Sequence, residues 1–166
     1  MPIPASKDDL TALFRQLGAP NPEQWAASQV DEGIPQLLRF LFLKGAWESI
    51  PNEGDTTWIE REIVDAAKYP EQPYAGLGHA LKRCRERGVA DSDLTEIARC
   101  LRAQMLFSIG YLIDGPAYSH TLEDVSWGLF QTDEEGKPIG PQVAGLHESV
   151  LEFDPTGREM RPTSDA

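Results

Sequence analysis

The chain has 166 residues, with 15 Lys plus Arg against 27 Asp plus Glu and a formal net charge of −12 at neutral pH. So anionic a surface repels phosphate backbones and anionic lipid, which argues against nucleic-acid binding and membrane docking. The hydrophobic fraction of 40% is ordinary globular usage, so wholesale disorder is excluded and one domain over 1–166 is expected.

The start, Met1 to Asp9, lacks the apolar centre of a signal peptide, and neither Leu37–Leu43 nor Met105–Ile113 approaches the ~20 residues of a bilayer span. The two cysteines, Cys84 and Cys100, form no CxxC and are too few for a disulfide scaffold. Both read as thiols in a reducing compartment, and the cytoplasm is the expected location. Cys84, within Lys82-Arg83-Cys84-Arg85, has cations beside it that favour thiolate, yet no base accompanies it.

Helical signals come first. Ser6 ahead of Asp8 and Asp9 reads as a cap, followed by Leu10, Leu13, Phe14 and Leu17 at helical spacing and a stop at Gly18. Asn21-Pro22 opens a second helix, with Asn as cap and Trp25 and Val30 facing inward. A third helix runs from Pro35 to about Ile50. Its Leu37–Leu43 stretch, interrupted by Arg39, is apolar on more than one face and suits the middle of a bundle, or a homodimer interface. Asp55 or Thr56 caps a fourth helix bearing Trp58, Ile59 and Ile63. Residues 69–78 read as an ordered loop anchored by Tyr69 and Tyr74. A fifth helix covers about 77–87, ending at Gly88. The sixth, from Asp91 or Ser92 to Asp114, shows a stripe of Leu94, Ile97, Ala98, Leu101, Met105 and Ile109. Its apolar second half, Met105–Ile113, predicts the most buried helix.

The period then changes. Val125, Trp127 and Leu129 alternate as a strand, Asp133–Gly136 reads as a turn, and Pro138 and Pro141 confine a strand over 137–143 to an edge. Ser149, Leu151 and Phe153 alternate again, and Asp154-Pro155-Thr156-Gly157 carries type I turn chemistry that would fold this strand back on Arg158–Met160. The expected fold class is therefore α+β: a bundle of about six helices over 7–114, a small antiparallel sheet over 125–161 packed on it, and a frayed end over 162–166.

No motif fixes a reaction. Gly76-Leu77-Gly78 lacks the third glycine of a dinucleotide loop and there is no G-x-S-x-G, so no cofactor is expected. His147-Glu148 begins an H-E-x-x-H, but Leu151 stands where the second ligand belongs. His120 with Glu123 or Asp124, joined by His147, is the one arrangement from which a small metal-dependent hydrolase could be built. Lys82, Arg83, Arg85, Arg87, Arg99 and Arg102 are the only cationic concentration, expected to pair internally. Residues 103–166 hold 3 basic and 11 acidic groups. The leading expectation is thus a non-enzymatic acidic protein, of inhibitor or immunity type, that docks on a basic protein partner through Glu123, Asp124, Asp133, Glu134, Glu135, Glu148 and Glu152, with Trp127 on an open face of the sheet.

Overall fold

A computed structural model describes residues 3–115 and 127–162. Seven α-helices and one two-stranded antiparallel sheet follow in chain order: α1 Lys7–Gln16, α2 Pro22–Glu32, α3 Gln36–Trp47, α4 Thr57–Lys68, α5 Ala75–Glu86, α6 Asp91–Asp114, β1 Leu129–Thr132, β2 Pro138–Val143 and α7 Leu146–Ser149, with a 3-10 turn over Val150–Phe153. The mainly helical α+β class expected from periodicity is the class observed. Val125, the expected start of the first strand, and all but the first residue of the expected frayed end lie outside the described residues.

Local chemistry explains most boundaries. Ser6 caps α1, its hydroxyl accepting from the Asp9 amide at 3.2 Å. Asp55 does the same before α4, accepting from the Thr57 amide at 2.9 Å and the Thr57 hydroxyl at 2.7 Å. Asn21 caps α2 only by position: it sits at φ 51° and its side chain makes no cap bond. The N-terminus of α3 is closed from outside, by Gln29 of α2 accepting from the Leu37 amide at 2.8 Å. In the β-hairpin, Asp133 accepts from the amides of Glu135 and Lys137 and Gly136 supplies φ 81°. Phe130 pairs with Gln142 but Gln131 with Ile139, so the ladder skips Gly140 and Pro141. A bulge there suits Pro141, which has no amide to donate.

Three apolar clusters form the interior. Phe14, Trp25 and Phe40 interlock at centroid distances of 5.6–5.9 Å among α1, α2 and α3. Leu43, Trp47, Ala103, Leu106, Val143, Leu146 and Val150 join α3, α6, β2 and α7, and Phe153 packs against both groups. Trp58, Ile59, Leu81 and Leu94 bind α4 and α5 to the start of α6. Gly78 makes the α4–α5 contact possible, since a β-carbon there would collide with the Glu62 carbonyl and come within 2.6 Å of the Ala66 methyl.

Several expectations need correction. Ser149, Leu151 and Phe153 do not form a strand. Leu146, Ser149, Val150 and Phe153 instead turn inward at helical spacing, after Gly145 at φ 72° reverses the chain. A window that short fits both periods, and the reversal before Leu146 decides between them. The Asp154–Gly157 turn does form, with the Gly157 amide on the Asp154 carbonyl at 2.9 Å, but it joins no strands. Val30 is exposed, and Tyr74 is 89% exposed at φ 70°, so neither faces inward and Tyr74 anchors no loop. Tyr69 is half-exposed, and its carbonyl accepts from the Gln72 amide at 3.2 Å within the loop.

The largest departure is α6. Its buried face is Leu94, Thr95, Arg99, Ala103, Leu106 and Gly110, whereas Ile97, Leu101, Met105 and Ile109 are exposed. Small and polar residues make the close contacts, so an apolar stripe pointed to the wrong side. Within the Leu37–Leu43 run, Leu37, Phe40 and Leu43 lie in the interior, while Leu41 is exposed.

Arg99 is 1% exposed and Asp154 4%. The guanidinium donates to the Pro51 carbonyl at 2.7 Å and to Asp154 at 3.3 Å. Asp154 also accepts from the amides of Thr156 and Met160 and from the Thr156 hydroxyl. Removing one partner strands a buried charge, so Arg99→Met and Asp154→Ala should each lower stability by about 3–5 kcal/mol in urea denaturation. The double variant should lose at least ~1 kcal/mol less than the sum of the two. Simple additivity would show that the pair is not coupled.

Candidate functional site

The described residues divide the sequence candidates between two places. Asp133, Glu134 and Glu135 occupy the hairpin turn, where the Asp133 carboxylate is engaged in closing the turn. Glu148 and Glu152 line one cleft of about 700 Å³. Trp127 is 44% exposed, its indole N–H donating to the Leu112 carbonyl at 2.7 Å at the end of α6. Glu123, Asp124 and His120 lie outside the described residues.

The cleft is bounded by α2, the start of α3, and α7 with the 3-10 turn. Its floor is polar. Gln36 and Arg39, three apart on α3 and so on one face, are 8% and 7% exposed. Gln36 donates through Nε2 to the Ser28 hydroxyl at 2.8 Å, which donates to Glu32 at 3.3 Å. Arg39 donates through Nη2 to the Ser149 hydroxyl at 2.9 Å, which donates to Glu152 at 3.3 Å. Two parallel relays thus run from a buried polar group on α3, through a serine, to an exposed carboxylate. Arg39 also reaches Glu148 at 3.5 Å, and Glu159 on the rim is held by Arg161 at 2.6 Å. Among the described residues, Glu32 and Glu152 have hydroxyl partners but no cationic partner.

The relays leave two atoms unmatched. Gln36 Oε1 and Arg39 Nε are buried without a hydrogen-bond partner among the described residues, as is Arg99 Nε of the Arg99–Asp154 pair, outside the cleft. A buried acceptor and a buried donor left open are costly in a stable interior, and both belong to residues lining this cleft. A neighbouring cleft of about 650 Å³, lined by Phe40, Trp47 and Phe153, contains no such atom among the described residues. Trp25 also lines the polar cleft.

His147 has a different role from the one its position beside Glu148 raised. It lies on α7, its Nδ1 2.5 Å from Asp114 at the end of α6, with the rings of Tyr111 and Phe107 edge-on at 5.1 and 5.8 Å. Asp114 also accepts from the amides of Leu146 and His147, so it closes the free N-terminus of α7. Gly110 permits the approach, because a β-carbon there would stand 3.0 Å from the His147 amide nitrogen. The pair lines none of the larger clefts and fastens α7 to α6. No three His, Cys, Asp or Glu side chains gather as a metal site among the described residues.

Half of the cationic stretch is paired internally, while Lys82, Arg83 and Arg87 are exposed and form no ion pair among the described residues. Arg85 holds Asp91 and Glu60, Arg99 holds Asp154, and Arg102 donates to the Ser49 carbonyl. Cys84 packs against the α4–α5 cluster. Burial, then the Glu96 carboxylate, push the Cys100 thiol above its usual range, so it is no thiolate.

Serine, glutamine and arginine roles in the cleft were not singled out by sequence reading. One signal was present: Arg39 is the only charge inside Leu37–Leu43, and an arginine in so apolar a helix turn must be met by partners from elsewhere. No family model, no curated protein and no solved structure matches this chain.

Burial by itself would raise the Asp114 carboxyl, but the His147 side chain and the two α7 amides outweigh it and hold it below the usual aspartate range. A carboxylate depressed in the folded state adds stability that is complete above its unfolded value and is lost as pH falls through the folded one. The urea midpoint should therefore drop below about pH 4. Asp114→Asn should flatten that drop and cost about 1–3 kcal/mol at neutral pH. An acid profile identical to that of the parent chain would contradict the assignment.

Proposed function

We propose that this chain is a non-enzymatic binding protein for a basic protein partner, and that the α2/α3/α7 cleft is where the partner's cationic side chain enters. The observation that carries the reading is Gln36 Oε1, a buried acceptor without a donor among the described residues, in a cleft that Glu32 and Glu152, two carboxylates without cations, also line. A guanidinium presents several donors in one plane and can meet Glu32, Glu152 and Gln36 together. A backbone carbonyl of the same segment would satisfy Arg39 Nε. The ligand that fits is thus a peptide segment bearing an arginine, rather than a free ion.

The net charge of −12 supports this by speeding encounter with a basic surface. The hairpin carboxylates Asp133, Glu134 and Glu135, with Glu123, Asp124 and the open ring of Trp127, would supply that long-range attraction rather than the seat itself. Glu148 would keep Arg39 oriented. No helix among the described residues is long and apolar enough to cross a membrane. Two free thiols suit a reducing compartment, and the cytoplasm is the location this reading assigns.

Capture from native extract should retain a partner of high pI, with affinity falling as salt rises from about 0.1 to about 0.5 M. Glu32→Gln with Glu152→Gln should weaken it about ten-fold or more, with the fold unchanged. An acidic partner, or an affinity indifferent to both salt and these substitutions, would overturn the reading.

A further inference from the structure

A second surface is built on opposite principles. Along α6, Ile97, Leu101, Met105, Ile109 and Leu112 are 41–61% exposed and recur every three or four residues. They lie on the side of the helix away from Arg99, Ala103, Leu106 and Gly110, which face the interior. Phe107 and Tyr111, also exposed, lie off this face, with their rings against His147. Residues 103–113 contain no charged side chain at all, in a chain of net charge −12. The stripe is about 22 Å long. Five large side chains, each about half exposed, leave on the order of 500 Å² of contiguous apolar surface, within the range of the largest patch on a monomer.

We propose that this stripe is the interface with a second copy of the chain, formed by two α6 helices packed antiparallel about a two-fold axis at Met105. The spacing carries the argument. Read outward from Met105 in either direction, the next apolar positions fall four residues away, at Leu101 and Ile109, and the following ones close to eight, at Ile97 and Leu112. A two-fold places the same stripe on both sides, residue i meeting j and j meeting i, so Leu101 would meet Ile109 and Ile97 would meet Leu112 with no charge buried between them. Antiparallel helices also set opposite dipole ends side by side. Two copies together would bury on the order of 1,000 Å² of this apolar surface, the lower bound of a specific interface. A basic partner, by contrast, finds no carboxylate on the stripe.

The two surfaces then respond oppositely to salt. Each copy carries −12, so screening relieves repulsion and tightens the dimer, while it weakens a cation in the cleft. Light scattering on the full chain should give twice the 18.4 kDa chain mass, with dissociation falling as salt rises. Leu101→Glu or Met105→Glu should return the monomer with the helical spectrum intact, because both side chains are already exposed. In a Cys84→Ser, Cys100→Ser background, Met105→Cys should cross-link with itself on oxidation. Ile97→Cys should do so only when mixed with Leu112→Cys. A monomer at all concentrations, a dimer that survives both glutamates, or self-cross-linking of Ile97→Cys would overturn the proposal.

Discussion

The buried Arg99–Asp154 pair is the constraint on which the arrangement of the C-terminal segment rests. One guanidinium on the covered face of α6 bonds the Pro51 carbonyl after α3 and the carboxylate that opens the last turn of the chain. Asp154 in turn gathers the amides of Thr156 and Met160, the latter at φ 59°. Three stretches far apart in sequence are thereby fixed around one charge. The 3-10 turn immediately before Asp154 is held where Phe153 reaches both apolar clusters and Glu152 reaches the cleft.

Arg39 repeats this logic one layer out. It enters an apolar helix, yet it meets Ser149 and Glu148 of α7 rather than solvent. Buried ionic groups of this kind contribute little net stability compared with apolar replacements, but they tolerate few alternative packings. Here they determine which face of α7 turns toward α3, and so where the carboxylates of Glu148 and Glu152 stand. The polar cleft follows from the ties that attach the C-terminal segment to the helices. Those ties leave the Gln36 acceptor and the Arg39 Nε donor in it unmatched among the described residues.

Much of the helical part could be read from local chemistry. Ser6, Asp55, Gly88 and the Asp133–Gly136 turn act within a few residues of the features they determine, and the structure keeps each of them. What escaped was set by distant partners. The burial of α6 through Arg99, Ala103 and Gly110 depends on how closely α7 approaches, which no hydropathy pattern records. Leu146–Phe153 fits the strand and helix periods equally over so few residues, and Gly145 with Asp114 decides the outcome from outside the window. Of the candidate carboxylates, Glu148 and Glu152 meet in one cleft because α7 and the 3-10 turn are helical; as a strand, the segment would have presented them differently.

The central claim is that Gln36 Oε1 waits for a donor borne on a cationic side chain. Side-chain amide NMR of Gln36 during titration with an arginine peptide blocked at both ends reads that atom directly. The account predicts a saturable shift of the Gln36 amide resonances, absent with the isosteric citrulline peptide and lost in Glu32→Gln with Glu152→Gln. Equal shifts from arginine and citrulline peptides, or no response at Gln36 while other residues respond, would contradict it.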